Sequence, residues 1–134
     1  MASSLFSSTF TTRIHDIDAA GVVFYAQIFY FIHNSYEDFL NKHQQSIDKI
    51  LKSDCILPIK HTQADFKAPI FLNECITIEM TLLELKESEF TLNYSLLDGD
   101  GNIRATALTQ HICLHRSTKK RKKLPAAMRT ILLE

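Results

Sequence analysis

Phe6, Phe10 and Ile14 fall on even positions of the segment LFSSTFTTRIH (residues 5–15), which is rich in Phe, Thr and Ile and predicts an extended strand. Residues 16–23 (DIDAAGVV) break that alternation with small side chains and Gly21, and read as a turn. From Val23 to Lys42 the period becomes helical. Ile28, Ile32, Tyr36 and Leu40 repeat at four, with Phe24, Phe31 and Phe39 beside them. Gln44–Ser53 predicts a short surface helix. Alternation returns in Ile56–Phe66, Cys75–Lys86, Glu89–Leu97 and Ile103–His115, four further strands. The run Asp98-Gly99-Asp100-Gly101-Asn102 predicts a tight hairpin turn, and Leu85–Ser88 a second reversal.

A strand, a long helix and four mostly antiparallel strands make an α+β fold, with one five-stranded sheet and one helix on its face. That helix has an unusual first half, in which Gln27 is the one clearly polar side chain. Seven of the chain's 13 aromatics lie between Phe24 and Phe39. A helix apolar nearly all round needs cover on most sides. One sheet alone cannot supply that cover unless it curls around the helix. The 134 residues contain no repeat or linker and predict one domain over 1–134.

Composition narrows the function. Hydrophobic residues at 46% and charged residues at 22% are ordinary globular values. The 3 glycines have neither Rossmann nor P-loop spacing. Fifteen basic residues balance 15 acidic ones, which argues against a general nucleic-acid binder. The balance is uneven, however: six of the eight bases after residue 100 lie in Arg116–Lys123. Such a basic end suits one small anionic ligand, or is a solvated tail. It has no interleaved aromatics for stacking on bases. Cys55, Cys75 and Cys113 form no CxxC pair and fit small apolar roles in a reducing compartment. The N-terminus has no basic start followed by an apolar stretch, and Gly21–Ile32 is too short to span a bilayer. The expectation is a cytoplasmic protein without membrane or nucleic-acid partners.

Candidate chemistry concentrates in Asp16-Ile17-Asp18-Ala19-Ala20-Gly21-Val22-Val23-Phe24-Tyr25. Two carboxylates stand one turn before a buried helix, whose opening N–H groups suit an oxyanion formed at an attacked carbonyl. The competing explanation is that Asp16 and Asp18 merely form an Asx turn or cap. His111, Cys113 and His115 share a strand face, but no carboxylate or CxxC partner completes a metal set, and no metal or cofactor is expected.

The run DIDAAGVVFYAQIFYFIHNSYEDFL resembles the helix-opening signature of the 4-hydroxybenzoyl-CoA thioesterase family of hotdog-fold enzymes. HTQADFKAP and the closing TQHICL strand with its basic segment resemble the branch that hydrolyses 1,4-dihydroxy-2-naphthoyl-CoA in phylloquinone and menaquinone synthesis. The resemblance implies a curled antiparallel sheet around a central helix, subunits paired as a homodimer or homotetramer, and a site shared between them. Carried over by position, Asp18 is the catalytic carboxylate and the backbone N–H near Tyr25 polarises the thioester carbonyl. Asp16 has a supporting role at the substrate. Ala19 replaces a frequent Pro, which removes no chemical group. His61 either binds an aromatic acyl group or faces water; Gln63 and Asp65 share its strand face. Lys119, Lys120, Arg121 and Lys122 are candidates for the CoA phosphates. The alternatives are a short- or medium-chain acyl-CoA thioesterase, a non-catalytic acyl-CoA or acyl-carrier binding module, and a structural dimer whose basic tail meets RNA or anionic membrane.

Overall fold

The computed structural model describes residues 4–134, apart from the side chain of Ile47; Met1–Ser3, the start of the segment weighed above as a leader, lie outside it. In chain order the elements are β1 (Phe6–Thr11), α1 (Gln27–Lys42), α2 (Ile47–Leu51), β2 (Cys55–Ile56), β3 (Ile59–Phe66), β4 (Cys75–Leu85), β5 (Glu89–Leu97), β6 (Ile103–Ile112), β7 (Leu114–His115) and α3 (Ala126–Leu132). Five strands form an antiparallel sheet in the order β1-β4-β5-β6-β3, and β2 pairs with β7. The α+β architecture follows the sequence pattern. The sheet is not a closed barrel: β1 and β3 are its two edges.

Its inner face packs on α1. Ile76, Ile78 and Met80 of β4 and Phe90, Leu92, Tyr94 and Leu96 of β5 meet Ile28, Ile32, Phe39 and Leu40 of the helix, each at most 1% exposed. Fully burying one such side chain contributes about 1.5–3 kcal/mol. Register irregularities at Ile59/His61, Leu82/Glu84 and Leu96/Leu97 let the sheet bend toward the helix, because an extra residue on one strand sharpens its local twist. The helix stops at Gln44, whose φ of 59° is left-handed. There the N–H of Gln45 donates to the Leu40 carbonyl at 2.8 Å and that of Gln44 to Asn41 at 3.0 Å. This is a Schellman closure made without the usual glycine.

Several boundaries depart from the sequence pattern, each for a local reason. The first strand ends at Thr11, because Ile14–Asp16 winds into a 3-10 turn with the Arg13 N–H donating to the Asp16 carboxylate at 2.8 Å. The helix begins at Gln27 instead of Val23. The N–H of Val23 is committed to the Ile70 carbonyl and that of Phe24 to the Asp16 carbonyl, both at 2.8 Å, which holds this stretch outside the helix. The strand expected over Ile56–Phe66 breaks at Leu57-Pro58, where proline supplies no N–H, and the one over Ile103–His115 breaks at Cys113. The basic run is no loose tail. It folds back so that Arg121 bridges Leu114, and it leads into α3, which the pattern analysis does not anticipate. Leu124, Met128, Ile131 and Leu132 bury the apolar side of that helix.

One chain leaves part of the helix region uncovered. Tyr30 is 66% and Tyr25 64% exposed, and Ile59 and Phe66 stand open on the edge strand β3. Among the described residues, no helix is long and apolar enough to cross a membrane. Cys55 and Cys113 are buried with their sulfurs 3.2 Å apart, and burial pushes the Cys113 thiol up to about 12, so it packs as a protonated side chain.

His111 sits in the core, stacked on Phe90 at 4.7 Å and against Tyr36 at 4.6 Å, with Nε2 2.8 Å from Thr109 Oγ1. Burial pushes its pKa down from 6.5 to about 4. Between those values the unfolded chain takes up a proton that the folded chain does not. His111 therefore lowers stability as pH falls from about 6.5 to about 4, by up to about 3 kcal/mol. Urea titrations across this window should show a shallower pH dependence for His111→Phe than for the wild type. An unchanged slope would contradict the assignment.

Candidate active site

Asp16 and Asp18 have the same chemistry and opposite surroundings. Asp16 is 4% exposed. Its Oδ2 accepts from the Arg13 N–H and its Oδ1 from the Gln27 amide, each at 2.8 Å, while its own carbonyl accepts from the Phe24 N–H. His15 Nε2 lies 3.4 Å away on the wet side. This one residue ties the end of the β1 segment to the opening of α1. Both of its oxygens are engaged within the chain, and the residue lines the hollow between β1 and α1.

Asp18 lies on the exposed part of the same turn. Its backbone N–H donates to the Val22 carbonyl at 2.9 Å and its carbonyl accepts from the Gly21 N–H at 3.0 Å. Gly21 has a φ of 81°, which a side chain would strain. Oδ1 accepts from the Ala20 N–H at 2.8 Å, so the Asx turn is real. That bond uses one oxygen of an exposed carboxylate and leaves the other free. The structural and chemical explanations of Asp18 are therefore compatible.

The carboxylate borders a hollow of about 410 Å³ lined by Val22, Tyr25, Ile28, Phe66, Lys67 and Pro69, among others. The same wall holds the start of α1. Ala26 is the N-cap and makes no side-chain capping bond. Among the described residues, nothing in the chain accepts from the N–H groups of Tyr25 and Ala26. Asp18 and the Tyr25 backbone, paired from the sequence, thus come together. An open helix end presents donors and a partial positive charge to one cleft, next to a carboxylate. A larger hollow of about 500 Å³ lies on the Asp16 side, between β1 and α1, lined by Arg13, Asn34 and Asp38 among others. It lacks a free carboxylate at a helix opening, and the chemistry favours the smaller one.

The remaining candidates stand elsewhere. On β6 the side chains of Ala105, Ala107, Thr109 and His111 face the core, and their partners Phe66, Ala64 and Thr62 share that face. His61, Gln63 and Asp65 take the opposite face, and His61 Nε2 lies 3.1 Å from Gln63 Oε1. His61 therefore points away from its own chain's Asp18 hollow. In the basic run, Arg121 donates to Ser88 Oγ and Glu89 at 3.0 and 3.1 Å, and Lys119 Nζ donates to the Arg116 carbonyl at 2.8 Å. Lys60 and Arg121 beside Glu89 push its carboxyl down to about 2. Lys120 is exposed, and Lys122 lines a separate hollow of about 390 Å³ with Lys49 and Met128. Among the described residues, no cluster of three His, Cys, Asp or Glu side chains is arranged to hold a metal ion. Sequence reasoning missed Lys67 and the 68–70 wall. Lys67, Ala68 and Pro69 close the quoted HTQADFKAP run and Ile70 follows it, but they reach the site through backbone pairing that no local pattern encodes.

The thioesterase-like superfamily matches residues 12–132, nearly the whole chain. The chain belongs to that superfamily. It is 35% identical over 121 residues to a 1,4-dihydroxy-2-naphthoyl-CoA hydrolase of Gloeothece citriformis, covering 88% of this chain and 85% of the relative. The hydrolase of the same name from Rippkaea orientalis is 32% identical, with 90% and 89% covered. A solved 1,4-dihydroxy-2-naphthoyl-CoA thioesterase from Synechocystis superposes with a TM-score of 0.91 at 26% identity over 96% of both chains. The fold of this thioesterase-like chain is accordingly the hotdog expected from the helix-opening signature.

The two aspartates should separate in variants. Asp16→Asn puts an NH2 donor in place of one of two engaged acceptor oxygens at a buried position and should lower unfolding stability by about 1–3 kcal/mol. Asp18→Asn keeps the Oδ1 acceptor of an exposed turn and should melt within about 0.5 kcal/mol of the wild type. Equal losses in denaturant titrations would contradict this division.

Proposed function

We propose that the chain hydrolyses an aromatic acyl-CoA, 1,4-dihydroxy-2-naphthoyl-CoA, to 1,4-dihydroxy-2-naphthoate and CoA, in the cytoplasm and within phylloquinone or menaquinone synthesis. The observation that carries this reading is that Asp18, with a free oxygen, and Tyr25, with an unpartnered N–H at the helix start, line one hollow of a thioesterase-like chain. Its relatives' named substrate selects the acyl group.

One carboxylate is chemically sufficient. A thioester is an activated acyl group, and its leaving thiol has a pKa near that of free cysteine, about 8.5, so it departs as thiolate without a general acid. The Asp18 oxygen attacks the carbonyl carbon, and the carbonyl oxygen takes up negative charge facing the helix-start N–H groups. Collapse expels CoA thiolate and leaves a mixed anhydride on Asp18. Water then cleaves the anhydride, releasing the acid and restoring the carboxylate. In the variant mechanism Asp18 instead takes a proton from the attacking water.

The same reading extends to assembly. The free edge of β3 and the uncovered Tyr25, Tyr30, Ile59 and Phe66 support a homodimer, with a dimer of dimers as a larger form. Because His61 faces away from its own hollow, we assign it an acyl contact only across a subunit boundary. Asp16 supports the substrate through the turn that it braces. Lys119, Lys120 and Lys122, with Arg121 partly engaged by Glu89, are assigned to the CoA phosphates.

Asp18→Asn should lower thiol release at least about a hundredfold while dimerising normally. Full activity in that variant would remove the assignment, and tight CoA-ester binding without turnover in the wild type would favour a non-catalytic binding module. A parallel panel should rank the naphthoyl ester above short- and medium-chain esters; the reverse order would favour an aliphatic acyl-CoA hydrolase. Replacing Lys119, Lys120 and Lys122 by Glu should raise KM for any CoA ester more than it lowers kcat.

A further inference from the structure

Arg104, at the start of β6, lines no part of the Asp18 hollow, yet it fixes the hollow's far wall from three sides. Its carbonyl accepts from the N–H groups of Lys67 and Ala68 at 2.9 and 3.1 Å. Its guanidinium donates to the Pro69 carbonyl, making three consecutive wall residues bound to one residue. The guanidinium also grips Glu74 through Nη1 and Nη2 at 3.2 and 3.1 Å, and Asp98 through Nε at 2.8 Å. Glu74 in turn accepts from the Phe71 N–H at 3.0 Å. The start of the 67–71 loop is therefore held by the Arg104 carbonyl, and its later part by the guanidinium, directly at Pro69 and through Glu74 at Phe71; that side chain is only 19% exposed.

That loop is bonded directly to the aspartate turn. The Val23 N–H donates to the Ile70 carbonyl at 2.8 Å, Val22 forms an isolated bridge with Phe71, and the Val22 carbonyl accepts the Asp18 N–H at 2.9 Å. We propose that Arg104 is a positioning residue for thioester cleavage, setting the distance between the Asp18 carboxylate and the opposite wall through the 67–71 loop. The proposal rests on the hydrolase reading above. Lysine keeps the charge but cannot grip a carboxylate with two parallel bonds while reaching a carbonyl and a second carboxylate. A displacement of about 1 Å at the reacting atoms costs about a hundredfold in rate.

The test compares wild type with Arg104→Lys, Arg104→Met and Glu74→Gln, using thiol release from 1,4-dihydroxy-2-naphthoyl-CoA and amide hydrogen exchange on the same proteins. For Arg104→Lys the expected result is kcat lower by about 10–100-fold with KM within about threefold. Arg104→Met should be lower still, and Glu74→Gln should shift in the same direction. Exchange at the Val23 and Phe71 amides should accelerate at least about tenfold, with strand β5 unaffected. Wild-type kcat in a folded Arg104→Lys, or a rise in KM equal to the fall in kcat/KM, would overturn the positioning role. A rate loss that only tracks the folded fraction would overturn it too. Should Arg104→Met fail to fold, Arg104→Lys and Glu74→Gln still decide. Wild type inactive on every CoA ester would overturn the hydrolase reading, whereas unaltered Val23 exchange would overturn the coupling by itself.

Discussion

The buried carboxylate of Asp16 is the constraint on which the site depends. It accepts from Arg13 on one side and Gln27 on the other, and its carbonyl accepts from Phe24, so a single residue closes the loop between the first strand and the central helix. Because this closure occupies the residues before Gln27, the helix starts late and without a side-chain cap. Among the described residues, the N–H groups of Tyr25 and Ala26 are left without an acceptor. The same closure carries Asp18, two residues on, out to the cleft. One aspartate is engaged within the chain, and the other keeps a free oxygen at the cleft.

The wider fold serves this geometry. Curling of the five-stranded sheet buries the inner side of α1 and leaves its opening turns and the β3 edge bare. An uncovered aromatic surface next to an unpaired strand edge is a liability for a lone chain and an asset for a subunit. The basic segment belongs to the folded unit as well. Asp54 accepts from the Ser117 N–H and contacts His115, which pushes its carboxyl down to about 2, while Arg121 is anchored on Glu89. These contacts fix where its free lysines stand.

What was legible in the sequence divides along a physical line. Elements whose partners are local or periodic could be read: the four-residue repeat of Ile28, Ile32, Tyr36 and Leu40, the alternating strands, and the Asp98–Asn102 turn, in which the Asp98 carboxylate accepts from the Asp100 and Asn102 N–H groups. The Asp18 turn was legible because its residues are contiguous. Features set by distant pairing were not. The helix start moved because of Ile70, the Lys67–Ile70 wall is held by Arg104, and the seven-residue α3 hides behind a run of lysines. His61 shows the limit of face arguments: its alternation with Gln63 and Asp65 was readable, but which face met the helix depended on pairing with β6.

Two hollows flank the aspartate turn, and Asp18 borders the smaller one. The most direct measurement is a crystal structure of the protein with a non-hydrolysable analogue in which a methylene replaces the thioester sulfur of the naphthoyl-CoA ester. The account predicts the ketone carbon within about 3.5 Å of an Asp18 oxygen, with its carbonyl accepting from the helix-start N–H groups at Tyr25 or Ala26. An analogue seated in the Asp16-side hollow, or one whose carbonyl lies out of reach of Asp18, would contradict it.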